Sequence, residues 1–156
     1  DFGCGIAGFY DYLLKNDYAK FVNYIGLDAS EKYIRYSKEK YPEVEFICVD
    51  ILANSKLLPT VDATIVNGVF TQKFDLDNKE MYEFLKKIIT ILYKNTRHCL
   101  AFNVMSNLVD YKKDGSFHLN FNKLSKFITK KLSKQYVFRN DYLPYEYTTY
   151  ILKDYE

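Results

Sequence analysis

Residues 3–8 read Gly3-Cys4-Gly5-Ile6-Ala7-Gly8, and Asp28 follows twenty residues after Gly8. Three glycines in six residues carry a backbone-entropy cost that an ordinary turn does not need, so they mark a place where the chain turns tightly or approaches something closely. A helix is predicted from about Phe9, directly behind the turn, and its first free N–H groups therefore point back at it. The β-rich run Phe21-Val22-Asn23-Tyr24-Ile25-Gly26-Leu27 then leads into Asp28, which puts a carboxylate at a strand tip. Turn, helix, strand and acid in that order open a β-α-β unit, and right-handed crossovers of this kind build a parallel sheet.

The period of the apolar residues keeps switching downstream. Ser30 and Glu31 start a helix that Tyr41-Pro42 ends, and strands are predicted over 44–49 and 61–66. Met81, Phe84, Leu85, Ile88 and Leu92 recur at helical spacing behind an Asp77-Asn78 cap, which predicts a helix over 78–95. A strand is expected over 98–104, a polar loop through Gly115, and a last helix capped near Asn120. Tyr136-Val137-Phe138-Arg139 and Tyr147-Thr148-Thr149-Tyr150-Ile151-Leu152 are separated by Asp141-Tyr142-Leu143-Pro144-Tyr145, which makes them antiparallel neighbours. The expected class is α/β, with a mostly parallel sheet flanked by helices and an antiparallel C-terminal hairpin. A glycine turn of this kind normally follows a buried strand, yet only Asp1 and Phe2 precede it. The expectation is a single domain over 1–156 that is N-terminally incomplete, its first strand lying in residues not included.

Length and composition bound the function. With 156 residues, 48% hydrophobic and 27% charged, the chain suits one globular domain. A net charge of +2 supplies no field to recruit nucleic acid or an anionic membrane. The apolar runs fall short of the roughly 18 to 20 residues that span a bilayer, and none patterns as a secretory signal. Cys4, Cys48 and Cys99 cannot all pair and have no metal or redox spacing, so they read as reduced thiols of a cytoplasmic protein. Nineteen Lys to three Arg, with many Tyr, Phe, Asn and Ile, point to an AT-rich bacterial genome. Most of the tyrosines and phenylalanines should serve as core and half-buried surface.

The glycine turn fits G-x-G-x-x-G, the fingerprint of dinucleotide sites, but any adenosine cofactor can use the same chemistry. The glycines let the backbone approach, the helix start supplies N–H donors, and the acid on the next strand grips two ribose hydroxyls. Two further acids choose between cofactors. Asp1 stands two positions before Gly3, where a nicotinamide-binding turn has an apolar residue, and Asp50 ends the run Phe46-Ile47-Cys48-Val49.

The segments DFGCG (1–5), YIGLDAS (24–30) and FICVDI (46–51) resemble the first three motifs of the class I S-adenosylmethionine-dependent methyltransferases. VDATIVNGVF (61–70), LAFNVMS (100–106) and the closing RNDYLPYEYTTYILK (139–153) resemble the later strands and final hairpin of a small bacterial branch of that family. The resemblance implies a Rossmann-like fold and methyl transfer to a small-molecule acceptor, with S-adenosylhomocysteine as product. It implies that Asp1 holds the methionine amino group and that Gly3, Cys4 and Gly5 pass under the carboxyl and ribose. Asp28 would take the ribose hydroxyls, Asp50 and Ile51 would meet the adenine, and Asn67, Gly68 and Val69 would border the sulfonium. Many members have glycine where this chain has Ala7, with Gly8 one place later, so a shifted loop is expected.

Methyl transfer from a sulfonium needs orientation, a dry pocket and, for an oxygen or nitrogen acceptor, a place for the proton. No metal is expected. Tyr10, Phe70, Asn103, Ser106, Asn107 and Tyr142 are candidates for acceptor contact, and none is an obvious base. His98 and His118 have no partner at metal or triad spacing and read as structural. Two rival readings share the pattern: a nicotinamide-dependent oxidoreductase and a non-catalytic binding domain. A monomer or weak dimer is expected, with neither nucleic acid nor membrane as partner.

Overall fold

The computed structural model describes residues 1–153, so the last three residues of the expected 1–156 domain lie outside the described residues. The chain divides into two compact units, residues 1–58 and 59–156.

The first unit is a β-α-β element preceded by the glycine turn. Strand β1 (Ile25–Asp28) pairs in parallel with β2 (Glu45–Cys48), from Ile25 opposite Glu45 to Asp28 opposite Cys48. Phe2 forms a parallel bridge with Leu27, whose N–H donates to the Asp1 carbonyl at 2.8 Å. Helix α1 (Gly8–Lys15) follows the turn, and α2 (Glu31–Lys40) crosses from β1 to β2. Ser30 caps α2 by accepting from the Tyr33 N–H, and the helix ends ahead of Tyr41-Pro42 as expected.

The strand expected from Phe21 starts later. Residues Ala19–Phe21 form a single 3-10 turn behind Asp17, whose φ of 61° redirects the chain, and pairing begins at Ile25. Phe21 is 75% exposed and faces no partner strand, so its β propensity had nothing to pack against. Cys4, Ala7, Tyr10, Leu13, Tyr24, Ile34 and Phe46 form the core of this unit. Gly26 is required there: a Cβ on it would meet Phe46 Cδ1 at 2.5 Å and Cys4 Sγ at 3.0 Å.

The second unit holds β3 (Val61–Val66), α3 (Asn78–Lys94), β4 (Thr96–Ser106), β5 (His118–Leu119), α4 (Phe121–Lys131), β6 (Tyr136–Arg139) and β7 (Glu146–Leu152). Its strand order is β3-β4-β7-β6, with β5 beside the end of β4. β3 and β5 run parallel to β4, whereas β7 runs antiparallel to both β4 and β6. β4 is longer than expected because β7 pairs with it from Cys99 to Met105. The two-residue β5 is not among the expected strands, since no period shows in so short a strand.

Registration sorts the side chains of this sheet. Leu100, Phe102 and Val104 lie opposite Ile151, Thr149 and Tyr147, and all six are buried. α3 packs on β4 with Met81, Leu85, Ile88, Ile89 and Leu92 buried, and Phe121 of α4 stacks on Tyr147 at 4.1 Å. Asp77 closes a full capping box with Glu80 at the start of α3. The alternate residues Ala101, Asn103 and Met105 lie opposite Tyr150, Thr148 and Glu146 on the other face.

Parallel pairing joined by helices, with an antiparallel closing pair, is the Rossmann-like α/β class expected. Among the described residues no helix is long and apolar enough to cross a membrane.

Candidate cofactor site and acceptor-side loops

In the first unit the glycine turn is built from left-handed backbone: φ is 73° at Gly3, 53° at Gly5 and 63° at Ala7. Ala7 takes a conformation that costs an L-residue something, and its side chain is fully buried in return. The Gly3 and Cys4 N–H groups both donate to the Leu27 carbonyl, at 2.8 and 3.0 Å, which locks the turn to β1. A Cβ on Gly5 would meet nothing within 4 Å, so space is open beside the turn.

Asp28 is the organising residue. Its Oδ2 accepts from the Gly5 N–H at 2.9 Å and its Oδ1 from the Ser30 N–H at 2.8 Å. A carboxylate has about four acceptor positions, so each oxygen keeps one for a ligand. Ser37, fully buried on α2, donates its hydroxyl to the Gly5 carbonyl at 3.1 Å. The Cys4 thiol is pushed up to about 11, first by burial and then by the negative charge of Asp28, so it stays neutral and presents only its backbone. Asp1 accepts from the Tyr24 hydroxyl at 2.6 Å. Asp50 is exposed, and its Oδ1 accepts from the Leu52 and Ala53 N–H groups, while Ile51 is buried. Tyr10 is buried in the core, its ring 4.9 Å from both Tyr24 and Tyr41.

In the second unit, Asn67 is exposed and Val69 half-buried around Gly68, whose φ is 83°. The Gly68 N–H donates to Asn103 Oδ1 at 2.7 Å, and its carbonyl accepts from the Thr71 hydroxyl at 2.8 Å. Phe70 is fully buried, edge-on to Phe84 and Phe102 at 6.2 and 5.8 Å, and so packs as core. Thr148 lies opposite Asn103 in the sheet, and the Tyr142 hydroxyl bonds Thr148 Oγ1 at 2.7 Å and Glu146 Oε1 at 3.1 Å. Asn103 and Tyr142 are thereby brought to one face. Ser106 is buried, its hydroxyl accepting from the Leu108 N–H at 3.0 Å, and Asn107 begins the loop beyond it.

Residues 1–100 match the sequence family described as Methyltransferase domain. The chain belongs to that family. It is a class I methyltransferase that uses S-adenosylmethionine. No curated protein matches this methyltransferase significantly. Among solved structures it is similar in fold to magnesium protoporphyrin IX methyltransferase of Synechocystis PCC 6803 with bound SAM. That match has a TM-score of 0.65 at 16% identity and covers 99% of this chain and 68% of that one. The plantazolicin methyltransferase, in complex with a triazolic desmethylPZN analog and SAH, matches with a TM-score of 0.70 at 16% identity, covering 99% and 76%. The Pnkp1/Rnl/Hen1 RNA repair complex matches with a TM-score of 0.71 at 14% identity, covering 98% and 36%.

The first unit of the methyltransferase fits an adenosine cofactor on its own geometry. Left-handed glycines leave room beside the turn, and a half-exposed carboxylate at the carboxyl end of a strand retains acceptor positions for two hydroxyls. Ser30, which the sequence marks only as a helix start, and Ser37, which it does not mark, support this site. Ser37 is legible in retrospect: it stands three residues after Ile34 on α2, and a polar residue on a buried face calls for a hydrogen-bond partner.

Proposed function

We propose that the methyltransferase holds S-adenosylmethionine with Asp1, Gly3, Cys4, Gly5, Asp28, Asp50 and Ile51 and methylates a small-molecule acceptor. The observation that carries the reading is the Asp28 carboxylate, fixed by Gly5 and Ser30 with one acceptor position free on each oxygen. A ribose diol offers two donors at adjacent carbons and suits that pair. The bound cofactor supplies an activated methyl on sulfur, and the chain's own contribution is to orient the donor and exclude water.

Asn67, Gly68 and Val69 are assigned the sulfonium border by the family pattern. The tight bond from Gly68 to Asn103 supports a preorganised loop there. Asn103, Tyr142, Ser106 and Asn107 are assigned to the acceptor, whereas the buried rings of Tyr10 and Phe70 shape the walls behind their loops.

A small-molecule acceptor is favoured over nucleic acid by charge. The net charge is +2, and in the loops Lys73, Lys112 and Lys113 are interspersed with Asp75, Asp77, Asp110 and Asp114, so these loops present no basic stripe to a phosphate backbone. Three unpaired cysteines suit a reducing bacterial cytoplasm, and a monomer or weak dimer is proposed.

Calorimetry with S-adenosylhomocysteine and with NAD tests the cofactor. Binding of the first and not the second is expected, and the reverse would overturn the assignment. Screening metabolites with a labelled methyl donor identifies the acceptor.

A further inference from the structure

Three buried side-chain polar atoms among the described residues have no hydrogen-bond partner: Asn107 Oδ1, His118 Nε2 and Thr149 Oγ1. Thr149 lies on the packed face of the sheet, opposite Phe102. The other two are neighbours through one residue, since His118 Nδ1 bonds the Ser106 carbonyl at 2.6 Å and Asn107 follows Ser106 in the chain. A carbonyl only accepts, so Nδ1 is the protonated nitrogen. In the neutral ring Nε2 is then a bare acceptor, the form in which histidine takes up a proton.

Registration places His118 on the sheet face that carries the residues assigned to the acceptor. His118 lies opposite Met105 in the parallel β4–β5 pair, which puts its side chain on the face that carries Met105 and Asn103. Glu146 lies opposite Met105 on β7, and Glu146 binds the Tyr142 hydroxyl, so His118, Asn103 and Tyr142 share one face. Phe117, immediately before His118, donates its N–H to the Thr71 carbonyl at 2.9 Å, and Thr71 in turn holds the Gly68 carbonyl. The histidine is thus tied by two hydrogen-bond steps to the Gly68 turn.

We propose that His118 is the base of the methyl transfer and that the acceptor is a protic compound, a hydroxyl or an amine. This rests on the methyltransferase reading above. The acceptor's heteroatom bonds to the methyl carbon as that carbon's bond to sulfur breaks, and the electron pair leaves with sulfur. The heteroatom's proton passes to Nε2. The Ser106 carbonyl holds the ring in the required tautomer and stabilises the imidazolium through Nδ1–H, and the Asn107 amide oxygen offers a second acceptor for the incoming donor group. Nε2 is enclosed by protein, so the proposed step requires the surrounding chain to admit the acceptor. The adjoining residues 110–115 are all exposed.

The chain has only two histidines, so nitrogen-15 histidine spectra of the whole protein, with His98→Gln to assign them, report on His118 directly. With S-adenosylhomocysteine bound, a neutral ring protonated at Nδ1 is expected. Phenol or ethanolamine, used as protic probes, should shift the Nε2 resonance saturably, and anisole, which lacks the donor, should not. A ring protonated at Nε2, or an Nε2 resonance that none of the probes moves because water alone satisfies it, overturns the proposal. His118→Gln should keep S-adenosylhomocysteine affinity within about twofold while lowering turnover of the acceptor about a hundredfold or more. Undiminished turnover also overturns the proposal. A parent protein that fails to bind S-adenosylhomocysteine overturns the methyltransferase reading instead.

Discussion

Gly5 donates its N–H to Asp28 Oδ2 at 2.9 Å, so the glycine turn and the acid at the tip of β1 are one hydrogen-bonded unit. The Ser30 N–H occupies the other oxygen at 2.8 Å. Both partners are donors, and only a carboxylate can accept from both. Asp28→Asn must point its amide nitrogen at one of them, leaving two donors face to face. The expected result is a loss of about 1.5–3 kcal/mol in S-adenosylhomocysteine affinity, with a lower melting temperature. Asp28→Glu should be milder in charge but displaced in reach. Calorimetry and thermal unfolding check both. An Asp28→Asn protein that binds and melts like the parent refutes the shared role.

Gly26 tests the packing beneath that unit. Its α-hydrogen faces Phe46, and a Cβ there would lie 2.5 Å from the ring. Gly26→Ala should cost about 1–3 kcal/mol in denaturant unfolding. Pairing it with Phe46→Leu should cost less than the sum of the two single changes, because each relieves the other's crowding. Strict additivity would show that the ring moves aside freely.

The buried Cys4 thiol makes stability depend on alkaline pH. It ionises near 9.0 when unperturbed and at about 11 in the fold, so the folded state holds its proton longer than the unfolded chain. The contribution is complete below pH 9.0 and is lost as pH rises to about 11. The Tyr24 hydroxyl, raised chiefly by burial, adds to the same fall. Denaturant midpoints measured across this window should decline in the parent and decline less in Cys4→Ala. Parallel curves for the two proteins would rule Cys4 out as a source.

Asn103 sets the loop after β3 by receiving the Gly68 N–H at 2.7 Å. Asn103→Ala should leave S-adenosylhomocysteine affinity nearly unchanged and lower kcat/KM for the acceptor by roughly tenfold or more, the cost of imprecise positioning. Loss of cofactor affinity in proportion to turnover would place Asn103 in the cofactor site instead.

Periodicity carried most of the architecture. The 3.6-residue recurrence in 81–92 behind Asp77, and the caps at Ser30 and Asn120, locate α3, α2 and α4 because local chemistry decides helix starts. Phe21 and Val22 misled because strand propensity expresses itself only where a neighbour strand is present. Asp28 was readable because the turn, the strand tip and their spacing lie within one short stretch. Phe70 and Tyr10 were not, since an aromatic beside a loop can turn inward or outward, and here contacts from Phe84, Phe102, Tyr24 and Tyr41 decide it. His118 reads as structural in the sequence, because its registration with Met105 joins residues thirteen apart through a two-residue strand that no period reveals.

The strand order β3-β4-β7-β6 has a consequence for biosynthesis. β7 follows β3, β4 and β6 in the chain yet fills the gap between β4 and β6, so the ribosome releases the middle of this sheet after its flanks. Until residues 146–152 emerge, β4 carries an open hydrogen-bonding edge over Cys99–Met105, the kind of edge that recruits foreign strands. The second unit therefore completes its sheet only once β7 has emerged, and a nascent chain stalled before Glu146 is a natural client for chaperones that mask exposed strand edges.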